Sequence, residues 1–131
     1  MKKLSYYNEQ KIKNSDKLRE ILTEFPDFAI DFFTGIENRT SSLTRLNYAY
    51  DLRTFFVWVL NETDILADRK RMFDIQISDL ERFNTTDFER YMSYLSSYQD
   101  IKSGQIQTNG AEGKSRKIAA VRSFFKYFFR R

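Results

Sequence analysis

Residues 41–61, SSLTRLNYAYDLRTFFVWVLN, are the most strongly patterned stretch of this chain and decide its fold class. Ser41 or Ser42 is placed to cap a helix, and apolar side chains then recur at intervals of three and four residues. Trp58 and Tyr50 lie well round the helix from the main apolar line, so we expect a central helix with neighbours on two sides. The main line carries Thr44, Tyr48, Leu52, Phe55 and Val59.

The segments on either side of this helix are also predicted to be helical. Two helices are expected before it: one over residues 15–24, capped by Ser15, and one over about 26–36, with Pro26 in its first turn. Two more are expected after it. One runs from the capping box Thr86–Glu89 to about residue 98, and the other from about Lys114 to the end. Residues 61–84 are predicted to form a loop with one or two short turns, and residues 99–113, which contain three Gly, a flexible connection.

These patterns predict an all-α protein: a bundle of four main helices with an extra short N-terminal helix. The polar, aperiodic residues 1–14 are expected to be a flexible tail, and residues 15–131 a single domain. Phe, Tyr and Trp make up 17% of the 131 residues. We expect most of these rings to form a compact aromatic core.

Composition excludes several classes of protein. The chain has no Cys and no His, which excludes disulfides, Cys/His zinc sites, Cys nucleophiles and imidazole-dependent triads. No spacing among the 18 acidic residues singles out a catalytic carboxylate pair, so we expect no enzyme activity, no metal and no cofactor. No apolar run approaches the roughly 18 residues of a membrane span, and Met1-Lys2-Lys3 does not lead into a signal peptide. We therefore expect an intracellular protein without a membrane partner.

The formal charge of +4 is concentrated in the last helix. Residues 113–131 contain seven basic residues and no acid. At 100° per residue the apolar and basic positions separate into two faces. The apolar face carries Ile118, Val121, Phe124, Phe125, Phe128 and Phe129, and the cationic face carries Arg116, Ala119, Ser123, Lys126 and Arg130.

A cationic face with small residues favours nucleic-acid contact, because Ala119 and Ser123 allow a close approach while Arg and Lys reach phosphates or guanine edges. Three alternatives stay open: the basic face is simply exposed to solvent, the helix lies on an anionic membrane, or it binds in the groove of a partner protein. The helix start at residues 40–45 offers hydroxyls, free N–H groups and Arg45 to a phosphate, although Ser and Thr are ordinary caps as well.

Three segments in this order are similar to a known family. The first is Ser41-x-x-Thr44-x-x-x-Tyr48-x-x-x-Leu52-x-x-Phe55, the second is ISDL at 77–80 with TDFERYMSYL at 86–95, and the third is GKSRKIAAVRSFFKY at 113–127. Together they resemble the N-terminal core-binding domain of tyrosine recombinases, the phage-integrase family. The resemblance covers roughly residues 26–129. It implies a SAM-like bundle that forms half of a clamp around double-stranded DNA.

In such domains the second and fourth helices face the major groove, which implies the segments beginning at Ser41 and Lys114. Arg122 matches the family's Arg-Ser-Phe-Phe run but lies beside the apolar face, so we expect it to pair with an acid on a neighbouring helix. The resemblance implies these DNA-binding residues: Ser41, Thr44, Arg45, Lys114, Ser115, Arg116, Ser123 and Lys126.

Members of the family cut DNA with a separate C-terminal domain, and nothing like that domain is present in the sequence. The expected function is a DNA-binding module of a site-specific recombinase from a bacterial, phage or other mobile genetic element, without strand cleavage by this chain. Expected partners are DNA, the catalytic domain and other recombinase protomers. A helical protein-interaction domain, docking through the aromatic side of the last helix, is the alternative.

Overall fold

The computed structural model describes residues 5–100 and 103–129, which form a helical bundle with one small hairpin. Five α-helices follow in chain order: α1 (Tyr6–Leu22), α2 (Asp27–Gly35), α3 (Ser42–Glu62), α4 (Thr85–Tyr94) and α5 (Ala111–Phe129). Short 3-10 turns cover Glu37–Arg39, Met72–Asp74 and Ile77–Arg82, and strands β1 (Ser97–Gln99) and β2 (Ile106–Thr108) connect α4 to α5. The prediction of an all-α bundle is confirmed.

Helix α3 is the centre of the bundle, as the sequence predicts. It packs against both α1 and α5. Trp58 is only 4% exposed, because α3 is covered on more than one side. Tyr50, on the same helix, is exposed.

An aromatic cluster around Phe55 fills the space between α3, α4 and α5. The Phe55 ring lies 5.0 Å from that of Tyr91 on α4 and 6.0 Å from that of Phe125 on α5, between ring centroids. Edge-to-face and tilted pairs of this kind contribute beyond the area they bury. The predicted aromatic core is thus confirmed. Ile30 of α2 is exposed and lies outside this core.

The N-terminal helix is longer than the sequence predicts. It begins at Tyr6, and the Ser5 hydroxyl accepts a hydrogen bond from the Asn8 N–H at 3.2 Å. Residues 6–14 are therefore helical, which corrects both the flexible tail over 1–14 and the cap at Ser15. The first half of α1 is mostly exposed and lacks an apolar period, since only Leu18 and Ile21 of this helix are buried. Residues 1–4 lie outside the described part of the chain.

The start of α4 differs by two residues from the predicted capping box. Asn84, and not Thr86, is the N-cap. Its side chain accepts from the Asp87 N–H at 3.0 Å, and Asp87 accepts from the Asn84 N–H at 2.9 Å. Residues 61–84 otherwise form the predicted loop with short turns, and they are tied together by the Arg69–Asp79 ion pair at 2.8 Å.

A β-hairpin replaces the flexible connection predicted over residues 99–113. Tyr98 of β1 pairs with Gln107 of β2, and Gly104 takes a positive φ of 72° in the turn. The Tyr98 ring stacks on Tyr94 at 4.9 Å, and the Asn109 side chain donates to the Leu95 carbonyl at 2.8 Å. These tertiary contacts order a segment that is rich in Gly. Helix α5 then begins at Ala111, slightly before the predicted Lys114.

Candidate nucleic-acid interface

Helix α5 has two faces with different environments. Ile118, Val121, Phe124 and Phe128 are buried against the bundle. The opposite face is exposed at the small residue Ala119 and at several polar and basic positions. The exposed set comprises Ser115, Arg116, Arg122 and Lys126, while Lys114 and Ser123 are half-buried. Arg130, predicted for the same face, lies outside the described residues.

Several cations on α5 form no ion pair within the described part of the chain. Over residues 5–100 and 103–129, no carboxylate forms an ion pair with Lys114, Arg122 or Lys126. The prediction that Arg122 pairs with an acid on a neighbouring helix is therefore wrong. Its exposed position on α5 leaves the guanidinium in solvent, beside a shallow groove of about 390 Å³ between α4 and α5. One face of this helix thus presents small side chains and several cations that form no ion pair among the described residues, with Glu89 across the groove.

The start of α3 is occupied by its own capping interactions. The Ser41 hydroxyl accepts a hydrogen bond from the Thr44 N–H at 3.1 Å and donates to the Thr44 hydroxyl at 2.9 Å. Ser41 is exposed and Thr44 half-buried. The Thr44 hydroxyl proton is still available to an external acceptor such as a phosphate, because the Thr44 oxygen acts here as the acceptor.

Arg45 lies in a different environment from the one expected for a DNA contact. It is 8% exposed, and its Nη1 donates to the carbonyls of Glu37 at 2.9 Å and Thr40 at 2.6 Å. These bonds close the 3-10 turn that precedes α3. The structure therefore places Arg45 inside the fold, as a brace for the turn, and corrects the expectation of an exposed cation.

Two residues of this region were missed by the sequence reasoning. Asp51 of α3 is buried, and its carboxylate lies 3.4 Å from Arg116 Nη1 and 3.8 Å from Lys117 Nζ on α5. Burial raises the pKa of Asp51, against the opposing effect of the two cations. Burial likewise lowers the pKa of Lys117. The only signal in the sequence was a single acid within the apolar part of a helix that has neighbours on two sides.

The predicted site residues form two separate groups. Ser115, Arg116, Ser123 and Lys126 share α5, while Ser41 and Thr44 contact each other at the start of α3. Within the described residues no hydrogen bond or ion pair joins the second group to α5. Asp51 makes the ion pairs between α3 and α5 that are seen among the described residues.

Other kinds of site are not visible in the residues that the structure describes. No group of three or more Asp, Glu, His or Cys side chains is arranged to hold a metal ion in these ranges. Among the described helices, none combines the length and apolarity needed to cross a membrane.

Comparison with known proteins relates this chain to recombinases. It is 28% identical over 117 residues to the tyrosine recombinase XerC of Caldanaerobacter subterraneus subsp. tengcongensis, covering 88% of this chain and 30% of that protein. It is 25% identical over 121 residues to the tyrosine recombinase XerS of Lactococcus lactis subsp. lactis, covering 91% of this chain and 33% of that protein. No protein-family model matches the chain, and no solved structure matches it significantly.

The chain spans about a third of the length of these curated relatives. The matches nevertheless extend over 88% and 91% of the present chain. The comparisons thus confirm that the chain is similar to tyrosine recombinases. The chain is a helical domain related to the tyrosine recombinases.

Proposed function

We propose that this domain is the DNA-binding module of a site-specific tyrosine recombinase and that it holds the crossover-site duplex during DNA integration or recombination. The observation that carries the proposal is the exposed face of α5, where Arg122 and Lys126 have no acidic partner among the described residues. The opposite face of the helix is committed to the core, so this surface is available to a ligand. Similarity to XerC and XerS supports DNA as that ligand.

Affinity would come mainly from the phosphate backbone. Lys114 and Lys126 are suited to phosphates because an ammonium group acts as a compact point charge. Arg116 is suited to a guanine edge through a bidentate contact. Ser115 and Ser123 would add hydroxyl donors, and Ala119 would allow the helix backbone to come close to the groove.

The start of α3 is proposed as a smaller, second contact. Thr44 would donate its hydroxyl proton to a phosphate at the positive end of the helix dipole, and Ser41, whose own proton goes to Thr44, would orient that hydroxyl. Arg45 is left out of the proposed contact set, because its guanidinium is bonded to the carbonyls of Glu37 and Thr40.

Strand cleavage is assigned to a separate part of the recombinase. This chain has no His, whereas the resemblance implies a catalytic domain that uses a nucleophilic Tyr with Arg, Lys and His residues. Coverage of only about a third of each relative supports a single domain of a larger enzyme. The proposed partners are therefore double-stranded DNA, that catalytic domain and neighbouring recombinase protomers.

The alternative of a protein-interaction domain loses its main surface in this fold. It required the aromatic side of the last helix, but Phe124 and Phe128 are buried within the bundle. Phe129 and Tyr127 are exposed, but they are confined to the end of the helix. The salt dependence of binding separates the two functions, because a mainly apolar interface responds weakly to salt.

Fluorescence anisotropy with a labelled random-sequence duplex tests the proposal. The 131-residue chain is titrated at two salt concentrations, together with the double variant Arg116→Ala/Lys126→Ala. A control double variant, Lys11→Ala/Lys13→Ala, removes the same charge from exposed positions of α1. We expect wild-type affinity to fall steeply with salt, with a log-log slope of about −0.9 for each phosphate contacted.

The α5 double variant should lose most of the binding, and the α1 control should lose much less. Absence of binding at low salt would overturn the DNA-binding function. An equal loss in both double variants would show that only net charge matters, and that α5 is not the contact surface.

A further inference from the structure

A buried carboxylate joins the two helices that are proposed to face DNA. The Asp51 side chain on α3 is 4% exposed, and it lies between two cations of α5. Its Oδ2 is 3.4 Å from Arg116 Nη1, and its Oδ1 is 3.8 Å from Lys117 Nζ. A carboxylate at this depth needs a cationic partner, because desolvation penalises an unpaired charge. The pairing therefore links α3 to the first half of α5.

The two cations differ in what they can still offer a ligand. The Lys117 side chain is 13% exposed, whereas the Arg116 side chain is 54% exposed. Arg116 uses Nη1 toward Asp51, which leaves the donors on Nε and Nη2 for another partner. In the described part of the chain, Asp51 is the only carboxylate paired with Arg116. Lys117 thus compensates the buried charge, while Arg116 extends to the surface.

An arginine held at one end is pre-organised for a contact at the other. A bidentate contact to a guanine edge requires a fixed guanidinium plane, whereas a phosphate contact tolerates several orientations. Fixing the plane before binding reduces the side-chain entropy lost on binding. We infer that Asp51 is a positioning residue, which orients Arg116 for a base contact and thereby sets the sequence discrimination of the domain. This inference rests on the proposed DNA-binding function.

Positioning and simple structural support predict different results for Asp51→Asn. Loss of structural support weakens binding to every duplex alike. Loss of positioning weakens only the preferred sequence. Affinity for random DNA should then stay constant or increase, because the substitution removes a negative charge next to the cationic face.

The experiment compares two duplexes with the complete 131-residue chain. One duplex is enriched from a random pool by the wild-type domain, and the other is the unselected random duplex. Asp51→Asn is measured beside the matched control Asp79→Asn. Asp79 is also a buried carboxylate, but it is paired with Arg69 and Arg82 and not with α5. Asp51→Glu tests rescue, and thermal unfolding is recorded for each variant. Arg116→Lys is a second probe that leaves Asp51 unchanged.

Asp51→Asn and Arg116→Lys should each reduce the ratio of the two affinities at least about tenfold, as expected for one lost base contact. Asp79→Asn should leave that ratio unchanged, and Asp51→Glu should restore part of it. An unchanged ratio in Asp51→Asn, including equal weakening on both duplexes, overturns this inference but leaves the proposed function standing. If Asp51→Asn does not fold, an unchanged ratio in Arg116→Lys overturns it. A wild-type domain without discrimination also overturns it and leaves DNA binding intact, whereas absence of any binding overturns the proposed function itself.

Discussion

Gly35 at the end of α2 lies directly against the ring of Tyr127 on α5. A Cβ atom at Gly35 would come within 2.5 Å of Tyr127 Cε1, which is closer than real side chains approach. The same ring packs edge-on against Phe32, with centroids 5.6 Å apart. Close contact between α2 and α5 therefore depends on the missing side chain of Gly35.

Gly35→Ala should destabilise the protein through this contact. The Tyr127 ring would have to swing outward and lose its contact with Phe32, which outweighs the better helix propensity of Ala and gives a net loss of about 1 kcal/mol. In a Tyr127→Ala background the same change should be neutral or stabilising by up to about 1 kcal/mol, because the clash is gone. Urea unfolding of the four proteins measures the coupling, and equal effects in both backgrounds would contradict the explanation.

Arg45→Ala should lower stability rather than act through DNA contact. The substitution leaves the carbonyls of Glu37 and Thr40 without their donor, and such a loss costs about 1–3 kcal/mol. Lys126→Ala, at an exposed position, should change stability by less than about 0.5 kcal/mol while weakening DNA binding. Denaturant unfolding and anisotropy are measured on both variants. A stable Arg45→Ala protein with weakened DNA binding would favour the expectation from sequence instead.

Acidification should remove part of the stability of the loop between α3 and α4. Hydrogen bonds from Arg69 hold the pKa of Asp79 below the ordinary value of 3.8, and those from Arg82 lower the pKa of Asp68 to about 2. A lowered folded-state pKa contributes stability that is complete above about pH 4 and is lost as the pH falls below it. Asp51 acts in the opposite direction, because burial raises its pKa.

The measurement is urea unfolding of wild type and Asp79→Asn between pH 7 and pH 2. The stability difference between the two proteins should be largest near neutral pH and should shrink below about pH 4. Parallel curves over this range would show that the Arg69 bonds do not act through the Asp79 charge.

Tyr91→Phe should be neutral or should stabilise the protein by up to about 1 kcal/mol. Tyr91 is fully buried in the aromatic cluster, and its hydroxyl is without a hydrogen-bond partner among the residues that the structure covers. Removing the hydroxyl eliminates a buried polar group and leaves the ring packing in place. Tyr98→Phe is the matched control, since Tyr98 is only half-buried and its hydroxyl is less shielded from solvent. It should change the thermal unfolding temperature little, and a clear loss of stability in Tyr91→Phe would argue for an internal partner of its hydroxyl.

The elements predicted best are those in which local signals agree. Ser41 caps α3 as expected, because a Ser before a long apolar repeat satisfies the first N–H groups by itself. The faces of α5 were also predictable, since Phe124 and Lys126 lie on opposite sides by helix geometry alone. Elements that depend on contacts with other parts of the chain, or that have no apolar repeat, were not predicted. The β1–β2 hairpin depends on Tyr94 stacking on Tyr98, and the first half of α1 has no apolar period to reveal it.

The sequence by itself determined the all-α class, the central helix, the aromatic core and the cationic face of the last helix, because each follows from the local spacing of residue types. Tertiary structure decided which charged side chains are exposed and can reach a ligand. Arg45 and Arg116 are both arginines in the first half of a helix, yet one is turned inward to backbone carbonyls and the other lies at the surface beside a buried Asp51. The availability of a charge depends on burial and on partners distant in the chain, and neither is encoded in local spacing.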